Sequence, residues 1–229
     1  MFAYQNPRSV RRVAAASLAL FAGMLCAAPP AAAAGPETSP KGARELLAAR
    51  LQAAGRGGPE WKALMADGQA RTEFCAHCHG QDGTSVMSLV PNLAGQSPHY
   101  LLEQIEKFSD GRRHDYIMTP LARQFGPQDM VAVAFYYANM KPRSQAADRV
   151  LAQQGALLFG QRCVGCHGRD AHGGDQYARL AGQNPDYLKR RLASFREASG
   201  GSVSVMTEMA KGLSEKDVEV VTAYLSTLP

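Results

Sequence analysis

The chain has 229 residues, 45% of them hydrophobic and 20% charged, and a formal net charge of +5. That composition excludes a disordered chain, a collagen-like repeat and a multi-span membrane protein, and the length holds one large domain or two small ones. Five cysteines are too few for a disulfide-dense scaffold, so their spacing carries the information.

In chain order, Arg8, Arg11 and Arg12 precede an apolar Ala/Leu-rich run from Val13 to Ala28 and an Ala/Pro-rich tail to Ala34. Basic, apolar and small residues in that order predict a secretory signal peptide over 1–34, cleaved after Ala34, and hence a periplasmic protein. The rival is an uncleaved anchor. Against it stand the 16-residue length of the run, short of the roughly 20 that span a bilayer, and Pro29-Pro30 at its end. Leu25 is too bulky for a lipoprotein signal at Cys26, and Arg11-Arg12 lacks the flanking residues of a twin-arginine leader. Three of the 25 basic residues and no acid lie in 1–34, which leaves 22 basic against 20 acidic residues. So small an excess gives no ground for a nucleic-acid partner, and no basic stripe interleaved with aromatics occurs. No integral span is expected after cleavage; peripheral membrane association stays compatible.

Residues 41–56 read as an Ala/Leu/Arg helix that either covers the next domain or contacts a partner. Then a unit begins that the chain repeats. Cys75-Ala76-His77-Cys78-His79-Gly80 returns 88 residues later as Cys163-Val164-Gly165-Cys166-His167-Gly168. Leu93-Ala94-Gly95-Gln96 returns at 180–183, Met118-Thr119 at 206–207 and Asp129 at Asp217. Four landmarks in matched order mark a duplicated domain. Both copies read as helical. Ser97-Pro98 and Asn184-Pro185 are N-cap and N1 pairs, followed by apolar stripes at helical spacing through Phe108 and Phe195. The last helices start near Pro127 and at Ser214, where Ser214 and Asp217 suit a capping box. No alternating strand pattern is present. The expected units are therefore 57–140 and 150–229, joined by the polar, Pro142-containing linker 141–149.

A Cys-x-x-Cys-His run is the sequence form of covalent c-type haem attachment. Thiols at i and i+3 share one side of a helical turn and can bond both vinyl groups of one porphyrin, and the next residue brings an imidazole to the iron. Cys75, Cys78, Cys163 and Cys166 are thus the attachment residues of two haem c groups, with His79 and His167 as iron ligands. A zinc site pooling the cysteines, a redox dithiol and a structural disulfide are the alternatives. For the sixth position, Met118 and Met206 each lie 39 residues after the histidine, in a loop between two expected helices. Met209 aligns with Leu121 and reads as packing. Thioether ligation favours Fe(II) and closes the last axial position, which argues for a carrier over a catalyst. His77, His99 and His172 read as surface residues, and His114 as surface or a propionate contact. A carbonyl at Pro91 can accept from Nδ1 of His79 and fix the ring.

The two motifs, Pro-Asn-Leu-Ala-Gly-Gln, the Met118 and Met206 segments and the Leu-Ser-Glu-Lys-Asp start of the last helix together resemble the dihaem cytochrome c4 family, over roughly 60–229. The resemblance implies an all-α fold of two tandem class I cytochrome c domains related by pseudo-twofold symmetry. It assigns Cys75, Cys78, His79 and Met118 to one haem, and Cys163, Cys166, His167 and Met206 to the other. It implies periplasmic electron transport in a respiratory chain rather than an enzyme. The expected donor is the cytochrome bc1 complex or a dehydrogenase, and the acceptor a haem–copper oxidase. The alternatives are a bound dihaem subunit of a dehydrogenase or oxidase complex, and a haem peroxidase. The sequence departs from the pattern at Ala178, where the first copy has Pro91, and in the added helix at 41–56.

Overall fold

The computed structural model describes residues 40–198 and 204–229. The signal-peptide reading of 1–34, Cys26 included, lies outside them. Among the described residues every regular element is helical. An appended helix α1 (Pro40–Ala53) precedes the first repeat: α2 (Pro59–Thr72), α3 (Ala76–His79), α4 (Pro98–Ser109), α5 (Met118–Ala122) and α6 (Pro127–Ala138). The second repeat is α7 (Arg149–Arg162), α8 (Val164–His167), α9 (Pro185–Glu197), α10 (Val205–Lys211) and α11 (Glu215–Thr227). No described helix is long and apolar enough to cross a membrane.

The local signals explain the helix starts. The Ser97 hydroxyl accepts from the Tyr100 N–H, and the Asn184 side chain from the Asp186 N–H, with Pro98 and Pro185 in the first turn. Asp129 accepts from the Gly126 N–H (2.9 Å) and Asp217 from the Ser214 N–H (2.9 Å), so α6 and α11 are capped by equivalent carboxylates. Helices α2 and α7, by contrast, have no apolar stripe that announces them, and each carries a glycine in its interior. Gly68 and Gly155 mark where α2 crosses α6 and α7 crosses α11. A Cβ at Gly68 would lie 2.5 Å from Tyr136 Cβ and 2.6 Å from the Ala132 carbonyl oxygen. At Gly155 it would strike the Val220 carbonyl and lie 2.7 Å from Tyr224 Cβ. The helices therefore meet at backbone distance, and the glycines permit it.

Helix α1 lies on α4 and α6 of the first repeat. Ala43 and Leu47 are buried in that domain's core, together with Leu102, Met130, Val131 and Ala134. Arg44 Nη2 bonds Glu106 Oε2 at 2.7 Å, and the Glu106 side chain is only 2% exposed. The equivalents of Leu102 and Val131 in the second repeat are Lys189 and Glu219, both solvent-facing. One domain is apolar under a helix; the other is charged and open.

The repeats meet through a reciprocal pair of side chains. Gln96 Oε1 accepts from the Arg179 N–H (2.7 Å), and Gln96 Nε2 donates to the Arg179 carbonyl (3.0 Å). Gln183 does the same to Asn92, at 2.8 and 2.9 Å. Because Gln96 corresponds to Gln183 and Asn92 to Arg179, each contact is the image of the other, which is the signature of a twofold interface. Asn92 Nδ2 adds a bond to the Gly182 carbonyl (2.7 Å). The linker follows this seam: Pro142 packs on Gly95, Arg143 pairs with Asp82 (2.8 Å), and the Gln145 N–H donates to the Ser226 carbonyl (2.7 Å). Arg149, read from the sequence as linker, is the first residue of α7, which Asp148 caps.

Replacing Gly155 by alanine forces a methyl group against the Val220 backbone, which cannot swing aside like a side chain. Overpacking of that kind destabilises by about 1–3 kcal/mol. Denaturant unfolding of the haem-loaded Gly155→Ala protein should show that loss, whereas Gly160→Ala, with open space around it, should show none.

Candidate functional site

Helices α2 and α7 end directly before the Cys-x-x-Cys-His runs, so each helix crossing also places a site. From Cys75 to His79 the backbone makes one helical turn, closed by the His79 N–H to the Cys75 carbonyl (2.9 Å); His167 closes on Cys163 at 3.1 Å. Gly80 and Gly168 end the turns at φ +83° and +76°, a region that side-chain-bearing residues rarely enter. The four thiols are unpaired. Burial pushes the Cys75 and Cys163 thiols upward, so at neutral pH both are protonated.

His79 and His167 are buried, and each ring is held by one bond. His79 Nδ1 lies 2.9 Å from the Pro91 carbonyl oxygen, and His167 Nδ1 lies 2.9 Å from that of Ala178. A carbonyl oxygen only accepts, so Nδ1 carries the proton and Nε2 keeps its lone pair. Burial lowers the pKa of both rings, against the opposing effect of the carbonyl bond, which favours the neutral, ligating form. The change from Pro91 to Ala178 leaves this bond at the same length.

Met118 and Met206 are both half-buried. The sequence places them in loops; instead Met118 opens α5 and Met206 is the second residue of α10. Helices of five and seven residues are too short to show a period, and their capping residues create them. The Asp115 carboxylate accepts from the Ile117 (2.9 Å) and Met118 (3.0 Å) N–H groups, and Ser204 caps the Thr207 N–H (3.4 Å). Partial burial works against the Asp115 charge. The two N–H bonds, with Arg190 and Arg113 nearby, still hold its pKa below the ordinary carboxylate range.

The remaining histidines divide. His77 is exposed, with Nδ1 3.1 Å from the Phe74 carbonyl, and His114 is exposed with its ring edge-on to Tyr116. His172 pairs with Asp170 at the surface. His99 is part-exposed, with its Nδ1 3.2 Å from Asp175 of the other repeat, close enough for an ion pair but without hydrogen-bond alignment.

Several residues that join the repeats have no local sequence signal. Arg113 donates to the Tyr187 hydroxyl (3.0 Å) and to Gln104 Oε1 (2.8 Å), with its guanidinium 4.4 Å from the Phe108 ring centre. Burial, with Tyr187 beside it, pushes Tyr100 up to about 12, so the Tyr100 hydroxyl is neutral. The repeated Leu-Ala-Gly-Gln marks the duplication in the sequence, and only the structure shows that its glutamines make the interface.

In each repeat, two free thiols three residues apart and a neutral imidazole with a free Nε2 fit haem c, which needs two thioethers and a nitrogen ligand. A zinc site fits less well, since no described group of three or more His, Cys, Asp or Glu side chains is arranged to hold a metal. When bound, each haem iron takes up and releases one electron between Fe(III) and Fe(II).

Comparison with known proteins agrees with this chemistry. The cytochrome c family matches residues 65–141 and 152–229. Cytochrome c4 of Pseudomonas aeruginosa is 35% identical over 176 residues, covering 71% of this chain and 88% of that protein. The crystal structure of reduced recombinant cytochrome c4 from Pseudomonas stutzeri superposes with a TM-score of 0.65 at 32% identity, covering 71% of this chain and 97% of that one. A protein named thiosulfate dehydrogenase electron acceptor, from Stutzerimonas stutzeri, is 32% identical, covering 67% of this chain and 78% of its own. Fold and site thus define an all-α protein of two tandem class I cytochrome c domains with two covalently bound haem c groups, built for electron transfer. The chain belongs to the cytochrome c4 family.

Loss of one cysteine pair should empty one domain only. Cys163→Ala with Cys166→Ala is expected to halve the haem content of the purified protein, read as covalently bound haem per chain, while the first domain keeps its own.

Proposed function

We propose that this protein is a periplasmic dihaem carrier of a respiratory chain. It takes electrons from the cytochrome bc1 complex or a dehydrogenase and passes them to a haem–copper terminal oxidase. Its domains run from 57 to 140 and from 150 to 229, after a signal peptide over 1–34. In the first, Cys75 and Cys78 attach the haem and His79 and Met118 ligate iron; in the second, Cys163 and Cys166 attach it and His167 and Met206 ligate iron.

One observation supports the carrier reading over an enzyme. The segments bearing Met118 and Met206 are held alike, each by a capped helical turn and a buried threonine that follows the methionine. A peroxidase needs one haem that opens to its oxidant, and among the described residues the two methionine turns carry the same kind of threonine restraint. His79 with Met118 and His167 with Met206 would hold the haem irons, and two filled axial positions would favour electron exchange over ligand binding. The protein matrix contributes neutral imidazoles, a fixed ring orientation and a rigid seam between the domains.

The likeness to a thiosulfate dehydrogenase electron acceptor supports a dehydrogenase among the donors. Helix α1 packs one face on its own domain through Leu47 and the Arg44–Glu106 pair, so a partner in the bound-subunit alternative would have to use its outer face.

Stopped-flow mixing of the reduced, haem-loaded protein with a purified haem–copper oxidase in oxygenated buffer tests the proposal. Oxidation of both haems far faster than by oxygen alone is the expected result. Oxidation at the oxygen-only rate, or rapid turnover of peroxide by the protein itself, contradicts it.

A further inference from the structure

The two methionines are each followed by a threonine with almost no exposure, Thr119 at 3% and Thr207 at 0%. Both hydroxyls accept a backbone N–H from just upstream. Asp115 N–H donates to Thr119 Oγ1 at 2.9 Å, and Ser204 N–H donates to Thr207 Oγ1 at 3.0 Å. The bond returns in each case. Thr119 N–H donates to the Asp115 carbonyl (3.1 Å), and Thr207 N–H to the Ser204 carbonyl (2.9 Å). Each methionine therefore sits inside a closed clasp of side chain and backbone.

The clasps differ in two ways. The first spans Asp115 to Thr119 and the second the shorter step from Ser204 to Thr207. The first is also ionic: Asp115 Oδ1 takes the N–H of Met118 itself, at 3.0 Å, besides that of Ile117. Ser204 offers only a neutral hydroxyl, to Thr207. The duplicated fold thus closes one clasp with a carboxylate and the other with a neutral hydroxyl.

We infer that Asp115 and Ser204 are positioning residues for the axial methionines. Together with Thr119 and Thr207 they fix the turn that presents each thioether, and Asp115 also sets a permanent negative charge beside the first centre. This rests on the reading of Met118 and Met206 as iron ligands. A fixed anion near a centre that loses an electron favours its oxidised state, by Coulomb attraction weakened in a partly solvated site. Arg113 and Arg190 offset part of that charge without removing it. The first haem is therefore poised lower than it would be with a neutral clasp, and the difference lies in one residue.

The test uses redox titration of the haem-loaded full chain. Asn at 115 keeps the oxygen that accepts both N–H bonds and removes only the charge. Asp115→Asn should shift one of the two titration waves to higher potential and leave the other in place. Ser204→Asp should lower the second wave, since it installs the charge in the other clasp. Both variants should remain low-spin and indifferent to carbon monoxide. Thr119→Val removes the acceptor and should open one haem to carbon monoxide, with Thr119→Ser restoring closure. Shifts below twofold in the redox equilibrium, about 18 mV at 59 mV per tenfold for one electron, in both charge variants overturn the inference. Met118→Ala separates the two readings. If it opens a haem to carbon monoxide while both charge variants move nothing and Thr119→Val opens nothing, the clasp is refuted and the ligand stands. If Met118→Ala opens nothing, the ligand assignment itself is refuted, and the clasp with it.

Discussion

Gly68 and Gly155 let the helix that leads into each Cys-x-x-Cys-His turn cross the last helix of its repeat at backbone distance, and the placement of both sites follows from that contact. Tyr136 and Tyr224 occupy the same position on α6 and α11 and meet the two glycines through Cβ. A larger residue would lift α2 or α7 and carry Cys75 or Cys163 away with it. Each domain has about 80 residues and a core that is small on its own. In the second domain the main cluster of that core is Phe159, Ala171, Ala181, Leu188, Val221 and Leu225 with a partly buried rim. Domains of this size bury a modest fraction of their surface, so a large apolar cofactor joined by two bonds supplies much of what the polypeptide lacks.

The glutamine clamp between the domains depends on the backbone opposite rather than on side-chain identity there. Gln96 and Gln183 read the N–H and carbonyl of the residue opposite, which is why that residue is Arg179 on one side and Asn92 on the other without loss of the contact. Such a clamp survives divergence after duplication, and this chain has diverged considerably elsewhere. Helix α1 covers an apolar face of the first domain, whereas the matching face of the second has taken on Lys189 and Glu219. The buried Glu106 belongs to the first arrangement only; its equivalent is Ala193, which needs no cation. The same asymmetry reaches the two methionine turns, which an aspartate and a serine hold with different charge.

Much of the site was legible in the sequence because covalent attachment demands fixed spacing. The cysteines and histidines follow from local chemistry, and the repeat itself singled out Met118 and Met206 from the other methionines. The capped helices were legible for similar reasons, since Ser97-Pro98, Asn184-Pro185 and Ser214 with Asp217 act within one turn. What stayed hidden depends on distant partners. Helices α2 and α7 bury too few residues to show a stripe, and a glycine at their centre reads as a breaker until the crossing helix is seen. The approach of His99 to Asp175 of the other repeat leaves no local signal. The short helices at the methionines read as loops, because caps and not periodicity define them. The sequence left α1 between covering the first domain and contacting a partner, since Arg44 finds Glu106 across 62 residues of sequence.

The central claim is that both haems are closed on both faces, which makes the protein a carrier. An optical redox titration of the purified, haem-loaded protein, repeated under carbon monoxide, tests it most directly. Two low-spin haems that titrate at relatively high potential and do not respond to carbon monoxide are the predicted result. A carbon monoxide complex on either haem in the unaltered protein would contradict it, because one axial position would then be open and the methionine meant to fill it would not be a ligand.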